Sequence, residues 1–145
     1  MKCSELMKKD VECCPREEEV EAVAERMKTR NVGFLPVCDD DGAVIGTVTD
    51  RDLALRVLGE HRSSERTRVQ DVMSPELVCC SPDDDLGVAE DLMVRYKKSR
   101  IVCADEHRRP IGIISLSDIA HVEEGNKLSQ ILDAIATREA PRPSV

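Results

Sequence analysis

Ile45-Gly46-Thr47-Val48-Thr49-Asp50-Arg51-Asp52-Leu53 returns 66 positions later, without a gap, as Ile111-Gly112-Ile113-Ile114-Ser115-Leu116-Ser117-Asp118-Ile119. Self-similarity at a fixed spacing marks a duplicated structural unit. Outward from this stretch the same offset places Met7 on Met73, Cys13-Cys14 on Cys79-Cys80, Met27 on Met93 and Leu35 on Ile101. The acidic triplet Glu17-Glu18-Glu19 falls on Asp83-Asp84-Asp85. The register holds through both halves, so the chain is expected to contain two copies of one fold.

Each copy reads as strand, helix, strand, strand, helix. In the first, Val20, Val23, Ala24 and Met27 recur at helical spacing behind acidic residues suited to a helix N-terminus, which predicts a helix over about Glu17 to Arg30. Phe34 to Cys38, the turn Asp39-Asp40-Asp41-Gly42 and Val44 to Thr49 form a hairpin pattern, and Asp50 to Leu58 a short closing helix. In the second copy Leu86, Ala89, Met93 and Tyr96 mark the long helix. Arg100 to Ala104 and Ile111 to Ser115 give the strands, and Leu116 to Val122 the closing helix. Gly59 to Arg68 is charged and aperiodic, a linker. The expected boundaries are 1–66 for the first repeat with its linker, 67–125 for the second, and 126–145 for a C-terminal helix and tail. In that last helix Leu128, Ile131, Leu132 and Ile135 follow an Asn126 cap and stop before Pro141. Its apolar stripe either packs back on its own module or meets a partner.

Composition narrows the function. The chain of 145 residues is 41% hydrophobic and 34% charged, enough apolar surface for one compact domain or two small repeats sharing a core. A net charge of −8 opposes a phosphate-neutralising surface, so nucleic acid is not an expected partner. One Phe, one Tyr and no Trp leave no material for aromatic stacking platforms or a membrane belt. The opening Met1 to Asp10 lacks the apolar run of a signal peptide, and no segment approaches a membrane span. A cytoplasmic location follows, and in that reducing setting the seven cysteines are expected as thiols.

Leu35-Pro36-Val37, the acidic turn closing on Gly42, and the stretch Ile45 to Leu53 resemble a CBS domain, named after cystathionine beta-synthase. Ile101-Val102-Cys103 and the stretch Ile111 to Ile119 resemble it again, with Val102 where the first copy has Pro36. Two such repeats resemble a Bateman module, here over residues 2 to 123. The resemblance implies an α/β (α+β) fold: two β-α-β-β-α repeats pack their sheets about a pseudo-twofold axis and leave two clefts that often hold adenosine-containing ligands. It also implies pairing of modules into a homodimer and a regulatory, non-enzymatic role exerted on a separate effector protein.

Within that family, Gly-hydrophobic-x-(Thr/Ser)-x-x-Asp places a carboxylate to accept hydrogen bonds from both ribose hydroxyls. The implied residues are Thr49 and Asp52, with Asp50 and Arg51 between them, and Ser115 and Asp118, with Ser117 between them. Arg51 adds a fixed positive charge for phosphate. Ser117 takes its place in the second copy, and Arg100 could reach a phosphate from the strand side. The first site is therefore expected to bind more strongly. The expected ligands are AMP, ADP, ATP or S-adenosylmethionine, with no cofactor required. The same spacing is also that of a capping box, which stabilises a helix start with no ligand.

Other groups have plainer readings. The pairs Cys13-Cys14 and Cys79-Cys80 suit core packing, with a redox sensor or a four-thiol zinc site as alternatives. His61, His107 and His121 are scattered surface residues, and the acidic triplets serve helix dipoles. There is neither a Gly-rich phosphate loop nor a pair of catalytic carboxylates in a recognisable motif, which argues against an enzyme. A ligand-free interaction module is the remaining alternative.

Overall fold

The computed structural model describes residues 1–139; the tail from Ala140, including Pro141, lies outside the described residues. The helices are α1 (Cys3–Leu6), α2 (Val20–Arg30), α3 (Asp50–Asp52), α4 (Leu86–Tyr96), α5 (Leu116–Ala120) and α6 (Asn126–Glu139). The strands are β1 (Cys14–Pro15), β2 (Phe34–Cys38), β3 (Val44–Thr49), β4 (Cys79–Cys80), β5 (Arg100–Ala104) and β6 (Pro110–Ser115). They form two three-stranded sheets, ordered β1-β2-β3 and β4-β5-β6. The expected mixed architecture with a C-terminal helix is present.

The chain divides into two compact units that do not follow the sequence repeats. The first-sheet unit holds residues 11–77 and 106–110; the second-sheet unit holds 1–10, 78–105 and, among the described residues, 111–139. Each sheet is thus completed by the leading segment of the other repeat. In the first-sheet unit Thr47 and Ser74 exchange backbone hydrogen bonds of 3.0 and 2.8 Å. In the second, Lys8 and Ile113 do the same at 2.9 and 3.0 Å. Ile113 follows Thr47, and Ser74 follows Lys8, at the 66-residue offset.

This docking explains the glycines of the motif. A side chain at Gly46 would collide with the Ser74 carbonyl oxygen, and one at Gly112 with the side chain of Met7. Glycine is the residue that permits so close an approach.

In the first-sheet unit β1 runs parallel to β2, with Cys14 opposite Val37, and β2 runs antiparallel to β3, from Phe34 opposite Thr49 to Val37 opposite Gly46. All of β2 is buried, and Cys14, Val23, Met27, Leu35, Val37, Val48 and Val69 form the core. Burial of each such side chain contributes about 1.5–3 kcal/mol. Helix α2 begins at Val20, three residues later than the acidic triplet predicts, because Glu18 N–H turns back to the Pro15 carbonyl at 3.0 Å. It ends at Asn31 in the left-handed region, and α4 ends the same way at Lys97. The closing helix is α only over Asp50–Asp52 and continues as a π-helical segment, Leu53–Leu58.

Not all the cysteines are thiols. Cys13 and Cys38 form a disulfide with Cα atoms 6.1 Å apart, which corrects the expectation for these two residues. The parallel register sets Cys14 beside Val37 and Pro15 beside Cys38, so Cys13, just before β1, reaches the last residue of β2 diagonally across the ladder. With Cys13 bonded, the four-thiol zinc arrangement loses one of its ligands.

In the second-sheet unit the core gathers Cys3, Cys80, Leu86, Ala89, Met93, Ile101, Cys103, Ile114, Ile119, Ile131 and Ile135. Ile131 and Ile135 come from α6, so the C-terminal helix packs on its own module against α4. Helix α5 ends at Ala120, slightly short of the expected Val122.

Candidate functional site

Each repeat leaves its last strand through a hydroxyl and enters a helix through a carboxylate three residues on. In the first-sheet unit Thr49 N–H donates to Asp52 Oδ2 at 3.0 Å, and Asp52 N–H donates to Thr49 Oγ1 at 3.1 Å. In the second-sheet unit Ser115 N–H donates to Asp118 Oδ2 at 2.9 Å, and Asp118 N–H to Ser115 Oγ at 3.2 Å. The Ser115 hydroxyl also donates to Asp118 Oδ2 at 2.8 Å and meets Ser117 Oγ at 2.9 Å. Both motifs are therefore complete capping boxes, in keeping with their spacing.

Capping leaves acceptor capacity on each carboxylate. An ionised carboxylate has about four lone-pair sites, and in both units the bonds of the cap fall on Oδ2. The remaining Oδ1 faces a cation: Arg56 Nε at 3.9 Å from Asp52, and Lys8 Nζ at 3.6 Å from Asp118. Both aspartates are mostly buried, with side chains 17% and 12% exposed. Such placement strengthens a charge-assisted hydrogen bond relative to one made in open water.

The other expected residues are placed unequally. Asp50 N–H bonds the Gly33 carbonyl at 3.0 Å, and its carboxylate packs so closely over Gly33 that a side chain there would lie 2.6 Å from Oδ2. Asp50 Oδ1 accepts the Arg51 N–H at 2.9 Å. Arg51 and Ser117 are exposed, as is Arg100 at the start of β5. The structure thus joins Thr49 to Asp52, and Ser115 and Ser117 to Asp118, while no contact joins Arg100 to either pair among those described.

Lys8 escaped the sequence reading. The second closing helix has Ser117 where the first has Arg51, which made it look poor in positive charge. The structure supplies that charge from the chain's opening segment. The signal was available in the offset itself, since Lys8 occupies the position of Ser74, but it becomes legible only once each leading segment is known to lie on the other sheet.

Two cavities lie within the first-sheet unit. One, of about 380 Å³, is mainly apolar and runs between α2 and the closing helix, lined by Val20, Ala24, Met27, Leu53, Val57, Leu58 and, at its edge, Asp50. The other, of about 510 Å³, lies at the β2–β3 turn among Asp39, Asp41, Ala43, His107 and Arg109. Among the described residues no group of three or more His, Cys, Asp or Glu side chains is placed to hold a metal ion.

Comparison with known proteins agrees with this architecture. The family model described as "CBS domain" matches residues 3–59 and 69–125. The CBS domain-containing protein YhcV of Bacillus subtilis is 36% identical over 108 residues, 74% of this chain and 75% of the relative. The crystal structure of the CBS domain protein TA0289 from Thermoplasma acidophilum superposes with a TM-score of 0.84 at 19% identity, covering 94% of this chain and 77% of that one. The CBS domain pair of protein MJ0100, solved in complex with 5'-methylthioadenosine and S-adenosyl-L-methionine, matches with a TM-score of 0.75 at 20% identity over 84% of this chain and 94% of that one.

Proposed function

The chain belongs to the CBS-domain family, with two copies in tandem, and on that premise we propose that it is a regulatory module that binds an adenosine nucleotide or S-adenosylmethionine and reports occupancy to a separate effector protein. The observation that carries this reading is the pair of half-used carboxylates. Asp52 and Asp118 each spend Oδ2 on a helix cap and keep Oδ1 beside a cation. A vicinal diol needs an acceptor of this kind, and Thr49 and Ser115 set hydroxyls beside it. Arg51, Lys8 and Arg100 supply positive charge for phosphate, with Asp50 and Ser117 flanking. The MJ0100 pair, a relative in fold, holds two adenosyl compounds.

Signalling would work by population shift. A ligand with different affinity for two conformations changes their balance, and an effector responds if it discriminates between them. No catalytic role is part of this proposal, and its setting is cytoplasmic. Among the described residues no helix is long and apolar enough to cross a membrane. In a reducing cytosol Cys13–Cys38 would be a transient, redox-responsive bond. A homodimer fits the open apolar groove along α2, whose rim exposes Leu58 by 74% and Leu55 by 53%.

The completeness of both caps favours a second reading, an interaction module whose carboxylates only stabilise helix starts. A thermal-shift panel of ATP, ADP, AMP, S-adenosylmethionine, NADH and zinc separates the two. A ligand at 100 times its Kd adds about 2.7 kcal/mol, and each kcal/mol raises the Tm by roughly 2–4 °C in a chain of this size. At least one adenosyl compound should give such a rise. Flat curves for all the adenosyl compounds would favour the interaction module, and a rise with zinc alone would move attention to the cysteines.

A further inference from the structure

The second-sheet unit holds a cluster of thiols that the ligand-binding reading does not use. Cys80 Sγ lies 3.4 Å from Cys103 Sγ and 3.8 Å from Cys3 Sγ, and the three residues are 6%, 0% and 0% exposed. They arrive from different places: Cys3 from α1 of the opening segment, Cys80 from β4 and Cys103 from β5. The offset gives no hint of this meeting, because Cys103 falls on Val37 and Cys3 on Val69.

We propose that Cys80 and Cys103 are a reversible dithiol–disulfide site, covered by the segment Met1–Asp10 and oxidised when that segment lifts. The register supports the pairing, since Cys80 stands directly opposite Cys103 in the parallel β4–β5 ladder. Paired strands run about 4.8 Å apart, inside the Cα separation of about 4.4–6.8 Å that a disulfide spans. A small rotation of the two side chains closes the sulfur gap with no movement of strands. Cys79, the neighbour on the opposite face, is opposite Val102 instead.

Access to the pair is controlled by the opening segment. It is pinned by Cys3 N–H to the Asp84 carbonyl, Ser4 N–H to the Pro82 carbonyl and the Lys8–Ile113 exchange, all at 2.9–3.0 Å. Burial raises the Cys3 thiol to about 12, and the hydrogen bond with Cys103 together with burial pushes Cys80 upward. Both therefore stay protonated at neutral pH while the segment is closed, and the reactive thiolate requires local opening. With a peroxide as oxidant, one thiol becomes a sulfenic acid with release of water, and the other displaces its hydroxyl as a second water. Two thiols and one peroxide thus give one disulfide and two waters, and a dithiol reductant reverses the change. The same segment carries Lys8 to Asp118, so the motion that exposes the thiols also withdraws that cation from the carboxylate.

The test is peptide mapping of the full chain under non-reducing conditions after hydrogen peroxide treatment, with the rate of cross-linking followed over time. The Cys80–Cys103 link should form in the unmodified protein and in Cys79→Ser, and should be absent in Cys80→Ser. Lys8→Pro, which removes the N–H that donates to the Ile113 carbonyl, or urea below the unfolding transition, should accelerate it at least severalfold. A link running through Cys79 or from Cys3 to Cys80, or no link at all, would overturn the pairing. A rate indifferent to both the variant and urea would overturn the gating.

Discussion

The two repeats hold their long helices with different chemistry. In the first-sheet unit Arg26 on α2 pairs with Glu12 at 2.7 Å and closely with Glu18, and Arg30 joins Glu12 at 2.8 Å. Sixty-six residues on, Glu12 becomes Val78 and Arg26 becomes Leu92, and both pack against the second core. An ionic clamp and an apolar contact thus serve the same geometry. The clamp is the more demanding of the two, because charges drawn out of water must recover their hydration from each other, and Glu18 Oε2 is buried with no hydrogen-bond partner among the described residues. A second contrast lies on the outer helix faces. Ala24 lines the open groove beside α2, whereas its counterpart Glu90 is buried beside α6 on α4. One duplicated surface is therefore closed by the chain's own helix, and the other is left open.

Removing a covered anchor should cost most. Ile131→Ala should lower stability by about 2–5 kcal/mol, the usual range for a buried aliphatic residue. Leu58→Ala on the open groove should stay within about 0.5 kcal/mol in dilute solution. Denaturant titrations of both variants check this, and comparable losses would erase the distinction between a closed face and an open one.

The glycine pair gives the next largest contrast. Gly46→Ala meets a backbone carbonyl that is itself hydrogen-bonded, so a loss of about 1–3 kcal/mol is expected. Gly112→Ala meets the Met7 side chain, whose three rotatable bonds let it move aside, and should cost less. Thermal unfolding of the two variants ranks them.

For ligand binding, Asp52→Ala should weaken affinity by about tenfold or more, as expected when a hydrogen bond to a charged group is lost. Asp118→Ala should have a smaller effect, although Lys8 beside Asp118 narrows the gap foreseen from Arg51 alone. Calorimetric titration giving the reverse order would overturn the ranking of the sites.

The smallest effect is a dependence on pH. Burial, assisted by a hydrogen bond with Glu123 and that residue's charge, raises the Glu90 carboxyl from 4.5 to about 7. Lys127 opposes the rise, and Asp91, itself paired with Lys127, adds to it. Between these pH values the folded chain binds more protons than the unfolded one. The contribution of Glu90 to stability is therefore fully present below about 4.5 and is lost as the pH rises towards 7. Glu90→Gln should flatten that part of the Tm profile, while Ala24→Gln leaves it unchanged.

Much of the fold was legible because the offset samples the same pattern twice. Strands β2, β3 and β5 begin and end where alternation and the acidic turn placed them, and Thr49, Asp52, Ser115 and Asp118 share local geometry that three-residue spacing dictates. What stayed hidden depends on long-range register or lacks a counterpart. Cys38 corresponds to Ala104, so the repeat offered no second copy of the disulfide to compare, and Lys8 reaches Asp118 only through pairing with Ile113. The π-helical turn of Leu53–Leu58 likewise keeps an ordinary helical composition and announces nothing by periodicity.

The exchange of leading segments sets an order of events during synthesis. Residues 11–77 emerge from the ribosome as a contiguous stretch and contain nearly all of the first-sheet unit, whereas Met1–Asp10, made before them, must wait for β6 before Lys8 meets Ile113. Such distant pairing is slow to form. The segment Met1–Asp10 is thus among the last to find its place, and a ribosome stalled midway would display one finished half with that segment still unattached.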